Sequence, residues 1–335
     1  MSLVTLGNGR RIGDFMRPYI VAELNTSHFG DVETAKEMVA EAKRVGCDCV
    51  KFQSWSTETL YCKSYYKENA IAKRVINKFS LDSQQLLELS QYSAQMEIDF
   101  TSTPYSIEEA EFLVSECRVP FVKIASMELN NLPFLKQLGQ LGMPLVLSTG
   151  MGSLHEISAA VEAICSMDNN NVIILHCTSI YPSPRTLIRL QNISGFRNEF
   201  PLFPIGYSDH SLGIEIPTAS VALGACMIER HFTLDAKRIG MDNQMATEPE
   251  EMKDMITACH HVYDAMGGPD RVLEEGEKEQ AFKMRRSMVA KVDLSPGQKL
   301  QLEHVEFKRP GTGISPTDFQ LFLGCKVAKH IESGD

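Results

Sequence analysis

From Tyr19 to Met266 the chain repeats one unit. A short apolar, often β-branched run ends on polar side chains, a helical stretch with one apolar face follows, and a turn leads to the next run. The runs cover residues 19–23, 49–53, 99–103, 121–126, 145–149, 172–178, 205–210 and 227–232. Helical spacing is clear at 32–45, where Ala35, Met38, Val39 and Ala42 share a face, and again at 106–117 and 154–165. Residues 248–266 supply an eighth helix. Strands that alternate with helices pair in parallel through crossover connections. Eight such units over about 250 residues predict a closed (β/α)8 TIM barrel. The rival is a doubly wound open sheet, which eight repeats and the lack of a GxGxxG after the first run disfavour.

The texture changes after Met266. Gly267-Gly268-Pro269-Asp270 breaks the helical pattern. Residues 276–286 are charged and helix-like. Strands are expected at 287–293, 305–308 and 325–331, with Ser295-Pro296-Gly297 as a turn and Arg309-Pro310-Gly311-Thr312-Gly313 as a loop. The expected organisation is an α/β barrel over 1–270, a linker over 271–286 and a small β-rich domain over 287–335. A module of about 50 residues is marginal alone and leans on something larger.

Composition narrows the class. The 335 residues are 43% hydrophobic and 23% charged, enough for a large core and too many for one ordinary domain. No apolar run approaches the roughly 20 residues that span a bilayer, and residues 1–16 lack the apolar stretch of a signal peptide. Nine cysteines, with no CxxC, read as buried free thiols in a reducing compartment, so a cytoplasmic location is expected. The net charge of −10, with no Lys/Arg run longer than two, argues against nucleic acid as a partner. A local cluster of cations remains compatible with an anionic ligand.

In this fold the active site lies at the C-terminal strand ends. Those ends carry Glu23 and Asn25, Lys51 and Gln53, Thr101 and Thr103, Lys123 and Ser126, Ser148 and Thr149, His176 and Thr178, Ser208 and His210, Glu229 and His231. Lys51 sits between Val50 and Phe52, and Lys123 between Val122 and Ile124, so each lysine faces away from its apolar flanks. A lysine in a barrel mouth is costly unless it meets an anion: a phosphate or carboxylate ligand, or a structural salt bridge. His210 and His231 end neighbouring runs. Adjacent strands lie about 4.8 Å apart, so the two imidazoles can share one ion. With water and the nearby Asp209 and Glu229, the preference moves toward Mn or Mg. Glu23 is placed to orient water or move a proton. Asp242, just past the last run, is either a solvated loop carboxylate or a contact to a sugar hydroxyl.

Taken together the motifs resemble the sialic acid (nonulosonic acid) synthase family, over nearly the whole chain and in order. They are Ala22-Glu23 with Asn25, Val50-Lys51-Phe52-Gln53, Ser102-Thr103-Pro104, Lys123-Ile124-Ala125-Ser126, Leu147-Ser148-Thr149-Gly150-Met151, and Leu175-His176-Cys177-Thr178 with Tyr181-Pro182. Gly206-Tyr207-Ser208-Asp209-His210, Glu229-Arg230-His231-Phe232-Thr233 and Lys308-Arg309-Pro310-Gly311 complete the set. The tail resembles the family's antifreeze-like SAF domain. The resemblance implies condensation of phosphoenolpyruvate with an N-acylated hexosamine, and release of phosphate. It implies that Lys51, Thr103, Lys123, Ser126, Ser148 and Ser208 hold phosphoenolpyruvate, and that His210 and His231 bind Mn or Mg. Glu23, Gln53, Tyr181 and Asp242 would face the sugar, and Arg309 would reach into the partner's barrel of a domain-swapped homodimer. Ser179 stands at a phosphoenolpyruvate contact where bacterial members often carry Asn. Gly240-Met241-Asp242 replaces the usual Gly-Pro-Asp, and the acceptor stays open among N-acetylmannosamine, its 6-phosphate, a 2,4-diacetamido sugar and mannose. Two rivals remain: a class I aldolase that uses a lysine Schiff base, and a non-catalytic sugar- or phosphoenolpyruvate-binding regulator.

Overall fold

The described chain, residues 2–335 of a computed structural model, opens on a hairpin that the apolar pattern did not reveal. β1 (Leu3–Thr5) pairs antiparallel with β2 (Arg11–Gly13), and strands of three residues are too short for period two to register. Eight parallel strands follow: β3 (Tyr19–Glu23), β4 (Cys49–Ser54), β5 (Asp99–Pro104), β6 (Val122–Ile124), β7 (Leu145–Ser148), β8 (Val172–Cys177), β9 (Ile205–Asp209) and β10 (Met227–His231). The paired order is β5-β4-β3-β10-β9-β8-β7-β6. The two ends of that order meet where the Thr101 hydroxyl donates to the Phe121 carbonyl at 2.7 Å, which brings the barrel to near closure. The run expected at 121–126 is shorter as a strand, because Ser126 already begins a 3₁₀ turn, Ser126–Glu128.

Alternation divides the strand residues between two cores. Ile20, Ala22, Val50, Phe52, Val122, Leu147, Ile174 and Ile228 face outward and pack on the helices. Tyr19, Val21, Cys49, Phe121, Val146, Ile173, Leu175 and Met227 face inward and cluster with Val4, Leu6 and Ile12 of the hairpin. The hairpin therefore closes the N-terminal end of the barrel, anchored where the Gly7 N–H donates to the Pro120 carbonyl at 2.8 Å. The inward residues that come next along each strand are polar, and they form the mouth.

The helices of this unit are α1 (Val32–Val45), α2 (Lys63–Glu68), α3 (Ala70–Phe79), α4 (Ser83–Gln95), α5 (Ile107–Ser115), α6 (Leu132–Gln140), α7 (Leu154–Cys165), α8 (Arg185–Ile188), α9 (Asn192–Glu199), α10 (Glu215–Ala222) and α11 (Pro249–Met266). Local chemistry sets their ends. Asp31 caps α1 by accepting from the Thr34 N–H, and Gly46 ends it at φ 98°, a left-handed turn that glycine adopts without strain. Asp82 with Gln85, and Ser153 with Glu156, make capping boxes on α4 and α7.

The chain divides into two compact units, the first ending at Gly267 and the second spanning Gly268–Asp335. In the second, α12 (Glu275–Met284) occupies most of the stretch expected as a linker, and β11 (Ser287–Ala290) pairs antiparallel with β12 (Val305–Lys308). Ala290, Leu294, Leu300, Val305 and Phe319 form its small core. Two strand expectations fail here. Strand 287–293 stops at Ala290, and 325–331 is no strand: it makes only single bridges, Lys326 to Lys299 and Ile331 to Leu294. Its apolar alternation serves the small core while its backbone turns between two partners.

Gly206 on β9 gives a direct test of barrel packing. A Cβ there would stand 2.8 Å from the Met227 carbonyl oxygen and 2.5 Å from Leu175 Cδ2, closer than packed atoms allow. Gly206→Ala is expected to lower the free energy of urea unfolding by about 1–3 kcal/mol, as overpacked cores do; an unchanged midpoint would contradict this packing.

Candidate active site

Parallel register sets the inward polar side chains at matched heights. Glu23 lies beside Lys51 on one side and His231 on the other, Gln53 beside Thr103, and Ser208 beside both Glu229 and Cys177. They enclose a cavity of about 80 Å³ at the C-terminal strand ends. Glu23, Lys51, Gln53, Thr103, Lys123, Ser126, Ser148, Ser179, Tyr181, Ser208, His210 and His231 all line it. Two polar lining residues, Tyr105 and Cys177, had been given no role from sequence, and Glu229 had been noted only as a carboxylate near the histidines. Period-two alternation was the available signal for the last two, since each lies two positions from another inward residue. Asp242 is not among the lining residues. Arg309 lies in the second unit, exposed, directly after β12.

Four charges are buried together. Glu23, Lys51, Lys123 and Glu229 are only 2–6% exposed. Lys51 contacts Glu23, donates to Thr103 Oγ1 at 3.2 Å and lies 3.8 Å from Glu229. Lys123 donates to Ser148 Oγ at 2.7 Å and to the Ile124 carbonyl at 3.0 Å, and stands 3.9 Å from Glu229. The Ser208 hydroxyl donates to Glu229 at 3.1 Å. Burial pulls the Lys51 ammonium below the usual lysine range; Glu229 opposes this and the Lys123 charge adds to it. The touching Glu23 carboxylate favours the charged form. Burial alone would raise the Glu229 carboxyl, but the charges of Lys123, Lys51 and His210 outweigh it and hold the group below its ordinary value.

The two histidines converge, with ring centroids 5.3 Å apart and Tyr181 4.5 Å from His210. His210 Nδ1 lies 3.1 Å from the Thr178 carbonyl, so Nδ1–H donates there and Nε2 carries the lone pair. Burial, followed by the charges of His210, Lys51 and Arg230, keeps His231 neutral. His210 is raised: burial lowers it, but the Cys177 contact and the Glu229 and Asp209 charges prevail. Among the described residues no three His, Cys, Asp or Glu side chains form a metal-ligand group. The donor set is therefore two imidazoles, which fits a divalent ion that draws its other ligands from water or substrate.

Some strand-end polar residues turn outward. His176 stacks on Tyr207 and makes a 2.7 Å contact with the Ile188 carbonyl. Asp209, expected beside the histidines, faces away. It accepts from the Tyr207 hydroxyl at 2.9 Å and from Ser211, and pairs with Arg230, which also donates to Thr247. This buried pair ties β9 to β10 directly behind His210 and His231.

The first and last mouth loops are also joined. Asn25 Nδ2 donates to Asp242 at 2.5 Å, and the Arg238 guanidinium lies 3.7 Å over the Phe29 ring. Burial raises the Asp242 carboxyl, opposed by His210 and Asn25. In the same first loop His28 is 2% exposed, and its Nδ1 accepts from the Gly30 N–H at 3.1 Å. Burial lowers it to about 4, against the Asn25 carbonyl and the Asp31 charge.

Comparison with known proteins adds relatives. The model of the NeuB family matches residues 38–271, and that of the SAF domain residues 285–335. The chain is 33% identical to the N,N'-diacetyllegionaminic acid synthase of Legionella pneumophila, covering 98% of this chain and 97% of that one. It is 34% identical to the human N-acetylneuraminate-9-phosphate synthase, covering 98% and 93%. The crystal structure of an N-acetylneuraminic acid synthetase from Leptospira borgpetersenii, in complex with citrate, superposes with a TM-score of 0.76 at 32% identity, over 83% of this chain and 95% of that one.

The His28 shift has a signed consequence for stability. Its neutral form is the folded form, so its share of stability is complete above the ordinary histidine value and is lost as pH falls from about 6.5 to about 4. Between pH 7 and pH 4, wild type is expected to lose about 3 kcal/mol more than His28→Leu in urea unfolding. Equal losses in the two proteins would refute the shift.

Proposed function

The chain belongs to the NeuB family and is a transferase of the sialic-type acid synthase kind, and from that premise we propose that it condenses phosphoenolpyruvate with an open-chain N-acylhexosamine such as N-acetylmannosamine, releasing inorganic phosphate. One observation supports this above the others: two lysines, a set of hydroxyls and two histidines share one cavity floored by apolar side chains.

In this reading Lys51 and Lys123 offset the charge of the enol phosphate and its carboxylate, with Thr103, Ser126, Ser148, Ser179 and Ser208 as hydroxyl partners. A divalent ion, Mn or Mg, held by His210 and His231 would supply Lewis-acid polarisation of the acceptor aldehyde. The enol carbon attacks the aldehyde carbon, which forms the new C–C bond and leaves a cation at the second carbon of the enol phosphate. Water adds to that carbon. Glu23 takes the water's proton and returns it to the alkoxide that the aldehyde oxygen became; the tetrahedral centre then releases phosphate by C–O cleavage, its hydroxyl proton leaving with the phosphate, and a keto acid remains. Gln53, Tyr181 and Asp242 hold the sugar. The lowered Lys51 favours one second reading, a Schiff base of the class I aldolase type. Borohydride with pyruvate separates the two, because only the aldolase leaves a covalent lysine adduct.

The proposal extends to a homodimer in which the small domain of one chain covers the partner's barrel and Arg309 acts in trans. Exposed apolar side chains on the mouth loops support such a cover; among them Met151 is 71% exposed and Ile239 86%. The reaction is assigned to the cytoplasm, in keeping with nine free thiols. No helix among the described residues is long and apolar enough to cross a membrane.

Phosphate release from phosphoenolpyruvate plus a panel of hexosamines is the primary assay. Chelation is expected to abolish it and Mn to restore it, and Lys123→Ala is expected to lower kcat/KM by about 10²–10³, the scale of one charge-stabilising group. Silence across the panel would favour a binding protein without catalysis. For the dimer, Arg309→Ala mixed with His210→Ala should regain part of the activity that each lacks. Confirmed heterodimers without recovery would rule out action in trans.

A further inference from the structure

Tyr105 lines the cavity and has no part in the reaction as read so far. It is the first residue past β5, and it is fixed at both backbone and ring. Its backbone N–H donates to Glu109 Oε2 at 2.6 Å, and Glu109 also accepts from the Thr59 hydroxyl at 2.9 Å, so one carboxylate of α5 joins the loops after β4 and β5. The ring packs on Trp55, centroids 6.1 Å apart, and Trp55 is itself buried. The phenol hydroxyl then donates to Gln53 Oε1 at 3.2 Å. Burial, followed by the charges of Glu128 and Glu109, raises this hydroxyl above the usual tyrosine value, so it keeps its proton at any physiological pH.

That contact decides what Gln53 shows to the cavity. Gln53 lines the cavity too, and its side chain makes no other hydrogen bond among the described residues. An amide has an accepting end and a donating end. With Oε1 taken by Tyr105, the free end is Nε2 with its two protons. That end is open to a ligand: Gln53 is only half-buried, and its Nε2 is not one of the sealed polar atoms that lack a partner. Sugar hydroxyls both donate and accept, so either end of an amide satisfies them, whereas a carbonyl oxygen accepts only. An open-chain N-acylhexosamine carries two carbonyl oxygens, the aldehyde and the N-acyl group. In the reading above the aldehyde lies at the histidine pair and the oxygens of phosphoenolpyruvate go to Lys51, Lys123 and their hydroxyls. The acyl carbonyl is the group left for Gln53.

We infer that Tyr105 is a positioning residue of the acceptor site: by donating to Gln53 Oε1 it turns Gln53 Nε2 toward the cavity, where the amide donates to the N-acyl carbonyl of the acceptor. This rests on the reading that an acceptor sugar lies against Gln53. Without the phenol hydroxyl the Gln53 amide loses its fixed partner and presents either end, so the preference for an acylamino group over a hydroxyl weakens. A site built to pair with one polar function rejects the analogue lacking it far more strongly than an apolar pocket rejects a missing methylene.

Tyr105→Phe removes the hydroxyl and keeps the ring on Trp55 and the backbone bond to Glu109. Gln53→Glu keeps the shape of the amide and removes its donors. Both are compared with wild type on the N-acylhexosamine that releases phosphate fastest and on the hexose with a hydroxyl in place of its acylamino group. Wild type is expected to prefer the acylated sugar by at least about tenfold in kcat/KM. Tyr105→Phe should reduce that preference about three- to tenfold, the scale of one neutral hydrogen bond. It should do so by raising the KM of the acylated sugar, with kcat and the KM of phosphoenolpyruvate within about twofold. Gln53→Glu should reduce the preference further. A loosened fold would lower activity on both sugars alike, so the split between them separates positioning from structure. A wild type without preference, a preference unchanged in Tyr105→Phe, equal losses on both sugars, or a change confined to phosphoenolpyruvate overturns the proposal. If wild type releases no phosphate with any sugar, the condensation reading fails by itself, and saturation-transfer NMR with N-acetylmannosamine decides the Tyr105 contact. An acyl-methyl signal that weakens in Tyr105→Phe supports it; a signal that does not weaken, or none in wild type, refutes it.

Discussion

Glu23, Lys51, Lys123 and Glu229 are four ions taken almost wholly out of water, and the rest of the mouth is built around that burden. Each buried ion carries a desolvation cost of several kcal/mol, about the same order as the net stability of a whole domain. The group is tolerable because it is mutually compensating: each ammonium has a carboxylate near it, and each also meets a hydroxyl or carbonyl. Such a cluster is a poor source of stability and a good source of preorganisation. Its dipoles and charges are already oriented before a ligand enters, so no solvent has to be rearranged when charge develops. The barrel makes this geometry available because parallel register sets Glu23, Lys51 and His231 abreast, at one height, above a layer of apolar side chains.

A second ion pair, Asp209 with Arg230, works from behind. It lies on the outward face of β9 and β10, with Asp209 directly before His210, which follows β9, and Arg230 directly before His231, which ends β10. Because alternate residues on a strand point to opposite faces, pinning Asp209 to Arg230 pins the backbone from which the two imidazoles project. Arg230 reaches on to Thr247, whose N–H donates to the His231 carbonyl and whose carbonyl accepts from Thr233. The loop that holds Asp242 is thus anchored at its far end to the strand that holds His231, and at Asp242 itself to Asn25. The Asp242 loop and the histidine pair are parts of one hydrogen-bonded frame.

The barrel was readable because eight alternating units leave a strong periodic trace, and helices 32–45 and 154–165 appear at the predicted bounds. The convergence of Lys51, Lys123, His210 and His231 was readable for the same reason: period two fixes which side chains point inward once the strand is known. What sequence could not supply was any relation that depends on distance across the chain. Asp209 stood next to His210 in sequence and was expected beside the ion, yet adjacency on a strand means opposite faces, and it turned outward to Arg230. Glu229 carried the inward parity, but nothing local says that two lysines from other strands will stand within 4 Å of it. The β1–β2 hairpin and the bridges of 325–331 were missed or misassigned because segments of three to seven residues leave too few periods to separate strand from turn.

The polarity of the mouth is not uniform, and that asymmetry bears on how two substrates would be told apart. Ammonium and hydroxyl donors come from β4 to β9: Lys51, Thr103, Lys123, Ser148 and Ser208. Beside them the carboxylates of Glu23 and Asp242 are linked through Asn25, whose backbone N–H donates to Glu23 at 2.7 Å and whose Nδ2 donates to Asp242 at 2.5 Å. A dianionic enol ester would be attracted to the ammonium groups and repelled by the carboxylates, whereas an uncharged polyol, whose hydroxyls both donate and accept, would be repelled by neither. Charge would therefore direct the anionic substrate toward Lys51 and Lys123 and leave the Asp242 side to the uncharged one. The histidine pair stands at the junction, its rings 5.3 Å apart, between the donors of β9 and the carboxylate of the last loop. A reaction that joins an enol carbon to an aldehyde carbon needs its two partners to meet at such a boundary, and the segregation of charge around the barrel creates one.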